Sequence, residues 1–171
     1  MADKTRSKEV DKLVDLLQLQ PHPEGGYFKE TYRSEGFISS DDLAEIDGNR
    51  NYSTAIYFLL TSDSFSAFHR IKQDELWHFY QGETILIHEI KPTGVYIKHQ
   101  LGSQMEEGIF PQICISANSW FASEVSPEGK FGLVGCTVSP GFDFRDFELA
   151  NATDLSAEFP KHKELISRLC R

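Results

Sequence analysis

Val10, Leu13, Val14, Leu16, Leu17 and Leu19 recur at helical spacing among charged residues over positions 8–19. This pattern predicts an amphipathic helix, stopped before Pro21 and Pro23. The period then changes. Residues 27–33 alternate well enough for a strand, and further strand-like segments fall near 52–60, 64–71, 75–80, 84–90, 94–101, 110–115, 119–124 and 131–138. Turn signals separate them, among them Gln81-Gly82, the run from Lys91 to Gly94 and the run from Ser126 to Gly129. Residues 34–51 are polar and read as a surface loop, while Leu165, Ile166 and Leu169 predict a last helix over roughly 160–170. Many short strands without helical periods between them indicate an antiparallel sandwich or barrel rather than a parallel sheet. The expected architecture is all-β, a single domain over 1–171 with its body at about 20–150 and short helices at both ends.

Composition narrows the function. A chain of 171 residues suits one domain. Its formal net charge of −9 offers no general basic footprint for nucleic acid or anionic membrane. The longest apolar run, Ala55 to Leu60, is far shorter than a membrane span. Cys114, Cys136 and Cys170 form no CxxC pair, and the first residues are charged rather than apolar. A cytoplasmic protein with reduced thiols is expected, and the glycosylation-like triplets at Asn51 and Asn151 are read as chance matches. Aromatic residues make up 12% of the chain, a heavy payload for a core or a lined pocket.

The stretch AFHRIKQDELWHFYQG, residues 67–82, carries the most chemical information. His69, Glu75 and Gly82 have the spacing of H-x-H-x3-E-x6-G, the first motif of the cupins. His69 ends one strand and Glu75 opens the next, so both can point inward while Gly82 makes the following turn. The sequence therefore resembles a cupin, which implies a double-stranded β-helix, a jelly-roll barrel with its site inside. Residues 19–34, 53–60 and 133–149 are similar to signature blocks of the fifth cupin family, a domain of unknown function. That resemblance implies an RmlC-like fold, a homodimer and a pocket, but no settled reaction.

Two departures from the cupin pattern bear on metal. The second histidine of the first motif falls at Ile71, and the histidine of the second motif falls at Phe121. Only His69 and Glu75 remain of the usual ligand set, and two ligands are too few for a tight site. No metal and no other cofactor is expected. His78 does not repair the set, because a residue three from Glu75 faces the opposite side of a regular strand. Trp77 and Phe79 share the Glu75 face. His88, His99 and His162 read as surface or satisfied residues, and His22, between two prolines, as structural.

Without a metal, His69 and Glu75 are the candidate catalytic pair, a histidine titrating near neutrality beside a carboxylate. Tyr27, Tyr57, Trp77, Phe79, Trp120 and Phe121 are candidates to stack on a planar ligand. Lys29, Arg33 and Arg70 are the candidate phosphate partners in an acidic chain. Asp143 and Asp146 are reserve carboxylates, the Ser139–Gly141 turn is a weak candidate for presenting backbone N–H groups, and Cys136 reads as packing. The expected ligand is a small polar molecule, a nucleoside diphosphate or a nucleotide-sugar. The expected activity is that of a metal-independent sugar epimerase or isomerase, by fold analogy with the dTDP-sugar epimerases. A non-catalytic ligand-binding cupin is the alternative, and a metal-dependent dioxygenase or isomerase is disfavoured by the missing ligands.

Overall fold

The computed structural model describes residues 8–43 and 45–171. The charged segment 1–7 lies outside them. Three helices, α1 (Lys8–Leu17), α2 (Ala152–Glu158) and α3 (Lys163–Leu169), flank or follow the strands. In chain order the strands are β1 (Gln20–Pro21), β2 (Tyr27–Arg33), β3 (Phe37–Ile38), β4 (Arg50–Asn51), β5 (Thr54–Thr61), β6 (Phe65–Arg70) and β7 (Glu75–Gly82). They continue with β8 (Ile85–Ile90), β9 (Tyr96–Leu101), β10 (Gln112–Ile115), β11 (Trp120–Val125), β12 (Phe131–Val138) and β13 (Glu148–Leu149).

These strands form two main antiparallel sheets, in the orders β1-β2-β5-β12-β7-β10 and β13-β6-β11-β8-β9. Alternation along each strand gives both sheets two apolar faces. The inner faces meet in one core, where Phe58, Leu60, Trp77, Val134 and Cys136 of the first sheet pack against Ile85, Ile87, Phe121 and Val125 of the second. On the outer face of the first sheet, Leu59, Phe131 and Leu133 pack under Val10, Leu13, Val14 and Leu17 of α1. The outer face of the second carries Phe68, Ile90, Trp120 and Ala122 against Leu155, Phe159, Ile166 and Leu169 of α2 and α3. Both sheets are therefore covered, which accounts for strands such as β8 that are buried throughout rather than alternating.

Three expectations need correction. The first helix ends at Leu17, with Gln18 in the left-handed region and Leu16 exposed rather than on the apolar stripe. The last helix is preceded by α2, whose start is set by the side chain of Asn151 accepting from the N–H groups of Thr153 and Asp154. The triplet that imitates a glycosylation signal is thus a helix cap. Asn151→Ala should lower stability by about 1 kcal/mol, read as a shift of the urea midpoint at unchanged slope. Residues 34–51 are not simply a surface loop. They hold the β3–β4 hairpin, and Arg50 is only 2% exposed. Its Nε and Nη2 donate to the two carboxylate oxygens of Asp146, each at 2.7 Å, and its Nη1 donates to the carbonyls of Asp47, Gly48 and Asn49. This buried pair fastens the 34–51 segment to the 139–147 segment.

Candidate functional site

Between the sheets lies a cavity of about 300 Å³. Its walls are the turn after β1, the inward residues of β2, β5, β6, β7 and β12, and the 142–147 segment. The turn is made by Gly25 and Gly26, both at positive φ, and a Cβ on Gly25 would lie 2.1 Å from the carbonyl oxygen of Phe65. Only glycine lets the chain come so close to β6. That approach delivers Glu24 into the cavity, its carbonyl accepting from the Ala67 N–H at 2.8 Å.

The Glu24 carboxyl, absent from the sequence-derived site, is held at both oxygens. Ser66 donates its hydroxyl to Oε1 at 2.8 Å, and His69 Nε2 lies 3.0 Å from Oε2. Ser66 and His69 are three apart and would face opposite ways on a regular strand. The pairing of β6 with β11 shifts register between them, Phe121 opposing His69 and Ser123 opposing Ser66. That bulge turns both side chains to one carboxyl.

Directionality fixes the protons. The other ring nitrogen of His69, Nδ1, is 2.7 Å from the Ala67 carbonyl oxygen, which can only accept. This assigns a proton to Nδ1. One further proton is then shared between His69 Nε2 and Glu24 Oε2. Burial pushes the His69 imidazole down to about 3 and raises Glu24 well above its ordinary value, with nearby Glu75 raising it further. The shared proton therefore resides mainly on the carboxyl, as a neutral acid hydrogen-bonded to a neutral imidazole. The ring of Phe121 packs 4.1 Å from the His69 ring and holds it in place.

Glu75 lines the same cavity, with burial pushing its carboxyl up to about 7 and the Cys136 thiol hydrogen-bonded to it. Burial raises that thiol well above the ordinary range. Cys136 is thus a neutral donor in the wall and not a nucleophile. His22 is held edge-on by Phe28, the ring centroids 4.5 Å apart, and burial lowers it to about 4. Phe142, Phe144 and Phe147 close the remaining side.

Of the residues singled out from sequence, the structure brings His69, Glu75, Trp77 and Arg33 to the cavity, along with Asp143. Arg33 is engaged by protein groups. It pairs with both carboxylate oxygens of Glu30 and also donates to the Phe142 carbonyl and to Asn51. Tyr27 and Tyr57 pack instead against the cluster under α1, and Phe79 joins the core away from the cavity. Phe121 stands behind His69 rather than in the wall. Lys29 reaches Gln18 at the surface, and Arg70 pairs with Glu148 and stacks over Trp120, outside this cavity. Asp146 is the buried partner of Arg50. The Gly141 and Phe142 N–H groups are taken by the Asn51 carbonyl and the Thr54 hydroxyl, so the Pro-Gly turn presents neither. His78 lies off the cavity, against Thr137 and Gln112. The residues missed are His22, Glu24, Phe28, Phe142, Phe144 and Phe147.

The donor set does not fit the metal of the motif-bearing cupins. Ile71, at one ligand position, is a buried apolar wall residue, and Phe121 stands at another. Among the described residues no group of three or more His, Cys, Asp or Glu side chains is arranged to hold a metal ion.

Two facing antiparallel sheets with an acid-lined cavity between them define a jelly-roll protein of cupin type. A family profile described as cupin superfamily (DUF985) matches residues 11–150, and the chain belongs to that family. An uncharacterized protein of Saccharomyces cerevisiae is 32% identical over 158 residues, covering 85% of this chain and 77% of its own length. A solved hypothetical protein from Leishmania major superposes with a TM-score of 0.87 at 34% identity, over 94% of this chain and 97% of that one. A solved protein of Shewanella oneidensis gives 0.85 at 38% identity, over 94% and 96%.

Proposed function

We propose that the cavity binds a sugar-sized hydroxy-carbonyl compound and moves a proton on it without metal, as an isomerase or epimerase does. One observation carries this reading. Two carboxyl groups share the cavity in different protonation states, Glu24 held as an acid on His69 and Glu75 ionising near pH 7. Such a pair is suited to general acid–base work at neutral pH. The Glu75 carboxylate takes the proton from the carbon next to the carbonyl. The C–H electron pair becomes the new C=C bond, and the carbonyl oxygen takes the proton shared by Glu24 and His69, giving an enediol. Return of the Glu75 proton to the neighbouring carbon, with the hydroxyl proton going back to the dyad, completes the isomerisation and restores both groups.

The volume of about 300 Å³ suits one sugar ring with its substituents. A nucleotide-linked substrate extends its phosphates past Arg33, the one Lys or Arg among the cavity residues. The cysteines Cys114, Cys136 and Cys170 are all free, which supports a cytoplasmic setting. Exposed Leu76 and Tyr80 on β7 support a homodimer, which light scattering at micromolar concentration checks. Among the described residues no helix is long and apolar enough to cross a membrane.

The test is deuterium wash-in. Aldoses, ketoses and nucleotide-linked sugars incubated with the protein and EDTA in D2O are followed by proton NMR. The expected result is loss of the signal next to the carbonyl in one substrate class. Glu75→Gln should abolish it, and His69→Ala should slow it by about 100-fold or more. Binding without exchange across the panel turns the protein into a ligand-binding cupin. Exchange restored only by added metal ends the metal-independent reading.

A further inference from the structure

The inner end of the cavity holds two carboxyl groups and two imidazoles. Arg33, the one Lys or Arg of the cavity lining among the described residues, is half-exposed and already paired with Glu30. A substrate carboxylate or phosphate placed there meets no free cation and one ionising acid. What the inner end does present is neutral hydrogen-bond donors. The Glu24 backbone N–H donates to His22 Nδ1 at 3.3 Å, so that nitrogen carries no proton and the ring is the neutral tautomer with its proton on Nε2. The ring is fixed in this pose by Phe28 on its edge, Phe58 and Phe147 beside it, and Phe144 stacked on it. The indole N–H of Trp77, buried in the same wall, is directed at the Glu75 carboxyl.

We infer that the inner end of the cavity selects an uncharged substrate oxygen, the carbonyl or hydroxyl of a neutral sugar, and that His22 binds it through Nε2–H. This rests on the proton-transfer reading above and extends it to a substrate class and a further catalytic residue. When Glu75 removes the proton from carbon, negative charge grows on the carbonyl oxygen, and a neutral imidazole donor stabilises it without bringing a charge of its own. The dyad proton then completes the transfer to that oxygen. His22 stays neutral throughout, since a doubly protonated ring loses its bond to the Glu24 N–H.

D-glucose and D-gluconate, which differ at C1 by the carbonyl carbon against a carboxylate, are the probes. Their binding to the full-length protein is measured by calorimetry at pH 7.5. D-glucose should bind at least tenfold more tightly. His22→Ala should lower its affinity about tenfold, the loss of one hydrogen bond between uncharged groups. His22→Gln, which returns an N–H donor near the Nε2 position, should recover most of the loss. Equal or tighter binding of D-gluconate overturns the inference, as does an unchanged affinity in His22→Ala or the absence of any D-glucose binding. If His22→Ala does not fold, the D-glucose to D-gluconate ratio of the unmodified protein still decides. Preference for D-glucose without deuterium exchange in any sugar overturns the proposed activity and leaves this inference standing. Exchange without that preference does the reverse.

Discussion

Asp146→Ala should cost the protein about 3–5 kcal/mol, because it leaves the Arg50 guanidinium buried with no counter-charge. The pair is shielded from water, each side chain 1% exposed, and its two bonds are both 2.7 Å. Gln73 adds a further donor to the same carboxylate at 2.6 Å and is orphaned by the same change. At this size the loss corresponds to a Tm lower by roughly 10 °C. A double change of Arg50 and Asp146 to apolar residues of similar volume should recover a large part of it, since the buried charge is then gone. Ligand binding should suffer out of proportion to stability in Asp146→Ala. Asp146 anchors the segment that carries Phe142, Phe144 and Phe147 into the cavity wall. A Tm within 2 °C or so of the parent protein would show that the pair is dispensable.

The second large effect has the opposite sign. Glu75→Gln should abolish turnover and yet stabilise the protein at high pH. The folded protein holds this carboxyl at about 7, above its ordinary 4.5, so between those values the folded state binds a proton that the unfolded chain has released. The protonated form's contribution is fully present below about pH 4.5 and is lost as pH rises toward 7 and beyond. The gap amounts to roughly 3 kcal/mol. His22 and His69, lowered to about 4 and about 3, work the other way: unfolding takes up protons below about pH 6.5, so their contribution grows as pH rises toward that value. Glu24, raised well above its ordinary value, adds to the loss with rising pH. The parent protein should therefore be nearly level between about pH 4.5 and 6.5 and decline above that. Glu75→Gln, in which the titrating group is absent, should decline less between pH 6 and 8. Chemical denaturation of both proteins at pH 5, 6.5 and 8 checks this, and parallel curves would remove the claim. Activity, if Glu75 is the base, should rise through about pH 7 as it ionises.

The periodic signals carried the architecture well. The strand segment 131–138 coincides with β12, and the others lie within a few residues of β5 to β11, because turn residues and alternation both mark them. The motif spacing also led to His69 and Glu75, since strand ends on either side of a short turn point to one place. Glu24 was not legible, because its position depends on a contact with β6 that is 42 residues away along the chain. The Gly25-Gly26 pair signalled a sharp turn, but not which strand the turn would touch. Arg50 was hidden for a related reason: a lone arginine in a polar stretch gives no sign of a carboxylate 96 residues on. The aromatic residues misled in part because both outer faces of the sheets are covered by helices. Tyr57 and Trp120 found apolar partners there rather than in the cavity.

The register shift in β6 constrains how this site can change over time. Ala67 and Phe68, between Ser66 and His69, are both buried, so packing holds the bulge in place. Removing one residue from that interval leaves the serine and the histidine two apart, still on one face of a plain strand with the bulge gone. Straightening the bulge at constant length instead sends one of them to the helix-covered face. Loss of the bulge at unchanged length therefore acts on the acid as a point mutation of Glu24 would, although neither partner changes identity. Among relatives, the serine and the histidine should be three apart where β6 carries the bulge and two apart where it runs regularly.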